Sequence, residues 1–150
     1  MGLKERLETD LKEALRQKDE PRKTTLRLAL AAIHNAEIAK GQRLEEDELL
    51  GVVAKEAKQR REAAALFAKG GRQDLVAQEE LELQILTEYL PSQLTEAEIK
   101  ARAQEVIEQV GASSPAQMGQ VMRVLMPEMK GKADGQAVSA VVKSLLNKTE

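Results

Sequence analysis

The sequence predicts an all-α protein built from two helical domains, and three observations carry that expectation. Apolar residues recur three and four positions apart along nearly the whole chain, the spacing that keeps side chains on one face of a helix. No stretch alternates apolar and polar residues as a half-buried strand would. Cap and stop residues punctuate the runs, with Asp, Ser or Thr before several of them and Gly or Pro after most. A length of 150 residues suits one ordinary domain or two small ones.

Leu3, Leu7, Leu11 and Leu15, spaced at i+4, place one apolar stripe on a first helix. Asp19 caps a second, with Pro21 in its first turn, Leu26, Leu30 and Ile33 on one face, and Gly41 as its stop. A third starts at Glu45-Glu46-Asp47, acids that complement the positive end of the helix dipole, and stops at Gly70-Gly71. A fourth extends from Arg72 to Leu90 with Val76, Leu83, Leu86 and Leu90 in register. Pro91 halts it, because proline disfavours helical backbone at the residue before it.

Pro91-Ser92-Gln93-Leu94 marks the boundary between a domain of residues 1–92 and one of residues 93–150. Thr95-Glu96-Ala97-Glu98 then has the spacing of a capping box. The fifth helix it opens buries Ile99, Ala103, Val106 and Val110 and ends at Gly111. Ser114-Pro115 opens a sixth whose inner face is Met118, Val121, Met122 and Leu125. Asp134 caps a seventh, with Val138, Val141, Val142 and Leu145 inward. Each of these three is too short to persist alone in water, so they must pack into one module.

Composition narrows the function. There is no cysteine, which argues against disulfides, thiolate chemistry and Cys-ligated metal. His34 is the only histidine, too few for a His-rich zinc site; it shares a face with Leu30 and Ile38 and is expected to be partly buried and structural. No Walker-type loop, Gly-rich nucleotide fingerprint or amidase nucleophile is present, so no catalytic residue, metal or cofactor is expected. Met1–Glu13 is charged throughout and lacks the apolar core of a signal peptide, and Arg6 stands where a myristoylation signal needs Ser or Thr. No apolar run exceeds the six residues of Leu28–Ile33, far short of the roughly 20 residues that span a bilayer. These features lead to the expectation of a soluble, cytoplasmic protein with no membrane partner.

Phe67 and Tyr89 are the only aromatics, which disfavours RNA reading on aromatic platforms. The formal net charge of −2 gives no whole-molecule pull on nucleic acid, so any such site must be a local patch. The loop Gly131-Lys132-Ala133-Asp134-Gly135, with Lys130 beside it, is the leading candidate, since a helix N-terminus offers unpaired N–H groups to anions. Its plainer reading is a tight turn in which the Asp134 carboxylate takes up those donors itself. Gly119 sits inside the sixth helix at a cost of about 1 kcal/mol relative to alanine; close helix packing is the expected reason. Met118, Met122, Met126 and Met129 read as core before they read as an adaptable groove.

A second basic patch comprises Arg22, Lys23, Arg27, Lys55, Lys58 and Arg61. Its first three members lie in the opening turns of the second helix, against its dipole, which leaves structural and partner roles level. The others face the acidic segment Asp74–Glu88 if the chain turns back at Gly70-Gly71. Charge pairing is the plainer reading and a phosphate-contacting stripe the alternative. Arg60 falls on the apolar line of Val53, Ala57, Ala64 and Phe67, so it is expected to be half-covered against Glu79 or Glu82 and to organise structure.

Taken in order, Thr25-Leu26-Arg27, Asn35-Ala36-Glu37-Ile38, Lys58-Gln59-Arg60-Arg61-Glu62, Gly71-Arg72-Gln73-Asp74-Leu75, Tyr89-Leu90-Pro91, Met118-Gly119-Gln120-Val121-Met122 and Gly131-Lys132-Ala133-Asp134-Gly135 resemble the YqeY proteins, also called GatB/YqeY-domain proteins, over essentially the full length. Ala63 departs from the serine expected there. The C-terminal module is similar to the tail domain of the B subunit of tRNA-dependent amidotransferases, which helps to hold tRNA. The resemblance implies a non-catalytic protein that binds tRNA or a tRNA-amidotransferase complex. Arg123, Lys130, Lys132 and Lys143 would meet phosphates, and Gly119, Gly131 and Gly135 would permit close approach. A protein–protein adaptor is the alternative. Carbon–nitrogen ligase activity with glutamine as nitrogen donor belongs to the family context, and no residue here supplies its chemistry.

Overall fold

The computed structural model describes residues 1–147, and its regular structure is helical throughout those residues. The helices are α1 (Leu3–Gln17), α2 (Glu20–Lys40), α3 (Glu46–Lys69), α4 (Gln73–Thr87), α5 (Glu96–Val110), α6 (Met118–Met129) and α7 (Gly135–Asn147). They fall into two compact units, Met1–Pro91 and Ser92–Glu150.

Local chemistry sets most boundaries. The Asp19 carboxylate accepts the Arg22 N–H at 3.2 Å, satisfying one of the donors that a helix start leaves open. Thr95 and Glu98 exchange reciprocal bonds at the start of α5, the Glu98 N–H to Thr95 Oγ1 at 3.1 Å and the Thr95 N–H to Glu98 Oε1 at 3.4 Å. Two ends differ from expectation. α4 stops at Thr87, because the N–H groups of Glu88, Tyr89 and Leu90 reach back only three residues and tighten the chain into a turn before Pro91. Pro115–Gln117 forms a separate 3-10 turn rather than the first turn of α6. The Gln117 side-chain oxygen gathers the N–H groups of Ser113 and Ser114 at 2.7 and 3.2 Å and holds that turn.

The N-terminal unit packs α1 to α4 around Leu7, Leu26, Ile33, Val53 and Leu86, all essentially inaccessible. α1 does not use its four leucines equally. Leu3 and Leu7 are buried, Leu11 is half-buried, and Leu15 is 43 % exposed while Ala14 is buried. Each i+4 step overshoots a full turn by about 40°, so three steps carry Leu15 about 120° away from Leu3. His34 is exposed, not partly buried, and so is Ile38 at 66 %. The buried face of α2 follows Leu26, Ala29 and Ile33, one residue behind the line expected for His34.

In the C-terminal unit, Val121, Leu125, Met129, Val138, Val142 and Leu146 close a core against Ala103 and Val106 of α5. Met118, Met122 and Met126 pack on its edge. Gly119 is exposed, and a Cβ built there meets nothing within 4 Å, so close helix packing is not its reason. We therefore expect Gly119→Ala to stabilise the unit by up to about 1 kcal/mol in thermal or urea unfolding. A loss of stability would reveal a packing constraint that the structure does not contain.

Candidate nucleic-acid interface

The turn from α6 to α7 is fixed from both sides. Gly131 has φ 79°, the left-handed region that glycine enters without strain. The Lys130, Lys132 and Ala133 N–H groups bond back to the last turn of α6. From the other direction, the Leu94 N–H donates to the Lys132 carbonyl at 2.9 Å and the Gln93 side-chain amide to the Gly131 carbonyl at 2.9 Å. Both lysine side chains leave this anchored backbone exposed to solvent.

Asp134 caps α7. Its Oδ1 accepts the Gln136 N–H at 3.4 Å, while its carbonyl accepts the Val138 N–H at 3.1 Å. Gly135 is half-buried, with the Met126 methyl 3.5 Å from a built Cβ, so its place in the turn is against α6. Arg123 and Lys143 are exposed on α6 and α7, seven and eight residues from the start of the turn and of α7, about 10–12 Å along the helix axes. The turn therefore brings together Lys130 and Lys132, with Arg123 and Lys143 flanking them along the helices that leave it. Among the described residues, none of these four cations is in an ion pair. Glu128, the nearest acid on α6, is committed elsewhere: the Arg102 guanidinium grips it at 2.7 Å and holds its carboxyl below the usual range, with Lys132 adding to the effect.

The second basic patch is different in kind. Arg22 reaches Glu88 at 2.6 Å and Asp19 at 3.6 Å, and Lys23 reaches Glu20 at 2.7 Å. The pairs explain why bases are tolerated at the start of α2. Arg27 and Lys55 are exposed, Lys58 is half-buried, and the half-buried Arg61 keeps its Nε out of water without a hydrogen-bond partner. Arg60 lies under 20 % exposed between three carboxylates, Glu56 at 3.3 Å, Glu79 at 3.4 Å and Glu82 at 3.7 Å. Arg60 thus ties α3 to α4 through Glu79 and Glu82.

One cluster has no counterpart among the candidate residues read from sequence. The Tyr89 hydroxyl, beneath a cleft of about 400 Å³, donates to the Asp10 carboxylate at 2.5 Å. The Arg6 guanidinium lies 5.1 Å from the Tyr89 ring centre, a cation–π distance. Burial and the adjoining Asp10 carboxylate push the Tyr89 phenol well above its ordinary range, so it stays protonated and serves as a donor. The one sequence signal was that the sole tyrosine stands next to the helix-stopping Leu90-Pro91.

A family model described as Yqey-like protein matches residues 4–146. Among similar curated proteins, the "Altered inheritance of mitochondria protein 41, mitochondrial" of Lachancea thermotolerans is 40 % identical over 114 residues, covering 73 % of this chain and 60 % of the relative. The protein of that name in Kluyveromyces lactis is 35 % identical over 142 residues, covering 92 % and 72 %. That in Saccharomyces cerevisiae is 33 % identical over 133 residues, covering 88 % and 63 %. The chain thus spans about three fifths of the length of the Lachancea and Saccharomyces proteins. The mitochondrial names overturn the expected cytoplasmic placement. Lack of cysteine and of a long apolar run describes an organelle interior as well as the cytosol, so neither feature distinguishes the two.

Proposed function

This chain belongs to the Yqey-like protein family, and we propose that within it the protein is an RNA-binding accessory without catalysis of its own, which holds tRNA or a tRNA-amidotransferase assembly through its C-terminal unit. The carrying observation is the α6–α7 turn: two exposed lysines on a backbone anchored by Gln93 and Leu94, outside any ion pair among the described residues. A pinned backbone lowers the entropy lost when a lysine settles on a phosphate. Arg123 and Lys143 extend the positive surface along α6 and α7, and exposed Gly119 leaves room for a nucleic-acid backbone to approach α6. The similarity of this unit to the amidotransferase B-subunit tail supports tRNA as the RNA.

Binding to bulk tRNA at 50 mM and 200 mM salt tests the proposal. Phosphate contacts release counterions, so affinity should fall steeply between the two conditions. Salt-insensitive binding, or none at 50 mM, overturns it. The adaptor reading is favoured by one observation, the exposed stripe of Leu28, Ala31 and Ile38 on α2. A protein partner retained after nuclease treatment, and lost in Ile38→Glu, would support that reading instead.

A further inference from the structure

A cleft of about 520 Å³ in the C-terminal unit lies between α5 and α7. Its volume is within the range of about 300–1,000 Å³ typical of small-ligand sites. Leu94 and Ile99 form one wall, and Ala137, Ala140 and Val141 form the other. Two exposed alanines one helical turn apart leave the α7 wall flat, so a planar ring can lie against it. Glu96, Lys100 and Ser144 supply polar groups at the edge.

Continuity with the lysine turn identifies the occupant. Leu94, which lines the cleft, donates its N–H to the Lys132 carbonyl at 2.9 Å. One residue of the cleft wall is thus bonded directly to the lysine turn. A ligand matching this arrangement joins a flat, largely apolar ring to an anion, as a nucleotide does. We infer that the α5–α7 cleft takes one unpaired base of the bound RNA while an adjoining phosphate rests at Lys130 and Lys132. The inference deepens the RNA-binding reading and rests on it.

Scarcity of aromatics removes stacking platforms, but a base can also be held between apolar side chains, here the partly exposed Leu94 and Val141. The Glu96 carboxylate only accepts hydrogen bonds, so it prefers the exocyclic amino group of adenine over uracil, whose single N3–H lies between two carbonyl oxygens that a carboxylate repels. An amphipathic helix from a partner protein would also fill an apolar groove, but it would leave the adjoining lysines without an anion.

The test uses the full chain with fluorescent five-nucleotide oligo(A) and oligo(U) and with a blunt RNA duplex. Oligo(A) should bind several-fold more tightly than oligo(U), and Glu96→Ala should remove that preference. Ala140→Leu, at an exposed helical position, should fill the cleft without unfolding the protein, a point checked by its melting curve. It should weaken oligo(A) at least tenfold and leave the duplex, which offers only phosphates and grooves, unchanged. If Ala140→Leu leaves oligo(A) binding intact while Lys130→Ala/Lys132→Ala weakens both RNAs, the cleft assignment is wrong and the phosphate turn stands. If the unaltered protein binds neither RNA at 50 mM salt, both are wrong.

Discussion

Lys130→Ala/Lys132→Ala is expected to weaken tRNA binding about 30-fold at 0.15 M salt and to reduce the salt slope by about 1.8. The size follows from counterion release. Each phosphate neutralised contributes about 0.9 to the slope of log affinity against log salt, so two lost contacts remove about 1.8. If the affinities of the two proteins converge near 1 M salt, where electrostatic contacts are screened, that slope difference amounts to about 30-fold at 0.15 M. The lysine side chains are exposed and the turn is held by backbone bonds and Gln93, so the double variant should melt with the unaltered protein. Parallel salt slopes for the two proteins would remove Lys130 and Lys132 from the interface. Arg22→Ala provides the contrast. Its guanidinium is already committed to Glu88 and Asp19, so its loss should alter stability more than RNA affinity.

Arg60→Ala should destabilise the N-terminal unit by about 3 kcal/mol at pH 7, read as a lower urea midpoint. Removing one member of a covered ion cluster strands its partners, which costs about 3–5 kcal/mol; contacts of 3.3–3.7 Å place this case at the low end. Among the carboxylates left behind, Glu82 is already pushed up by burial, and losing Arg60 removes the charge that counters that push. The loss should therefore shrink as pH falls toward 4.

Glu82 gives the opposite sign. Burial is the leading cause that pushes its carboxyl above the usual value of 4.5, with Arg60 partly countering it and Glu79 adding to it. Its folded form thus holds a proton more tightly than its unfolded form. That contribution to stability is full below the unfolded value and is lost as pH rises through the folded one. Glu82→Gln should accordingly gain stability relative to the unaltered protein at pH 7 and show no gain near pH 4. An equal gain at both would assign the effect to packing rather than charge.

These two sites differ in how far sequence could reach them. Arg60 was legible because it interrupts an otherwise apolar helical line, and a base on that line has to be covered and paired. The Tyr89–Asp10 bond and the Arg22–Glu88 pair join residues 79 and 66 positions apart, and no local pattern specifies such partners. Nothing local to Arg22 identifies Glu88 as the carboxylate it meets. The lysine turn was legible as Gly131-Lys132-Ala133-Asp134-Gly135, but its anchoring by Gln93 and Leu94 depends on the chain returning from the other end of the unit. Gly119 meets a related limit: a glycine in a helix signals either a close neighbour or open space, and only the packed structure distinguishes them.

The amino-acid sequence by itself determined helices α1 to α7 of the described residues, most of their caps and stops, and the all-α class. Those depend on bonds and contacts spanning three or four residues, such as Asp19 to the Arg22 N–H and Thr95 with Glu98. Tertiary structure alone decided that Leu15 and His34 face solvent, that Arg22 and Lys23 are occupied, and that Lys130 and Lys132 stand on a pinned turn beside an apolar cleft. The reason is physical. A cap is satisfied within its own helix, whereas burial and charge neutralisation depend on which distant element comes to lie alongside.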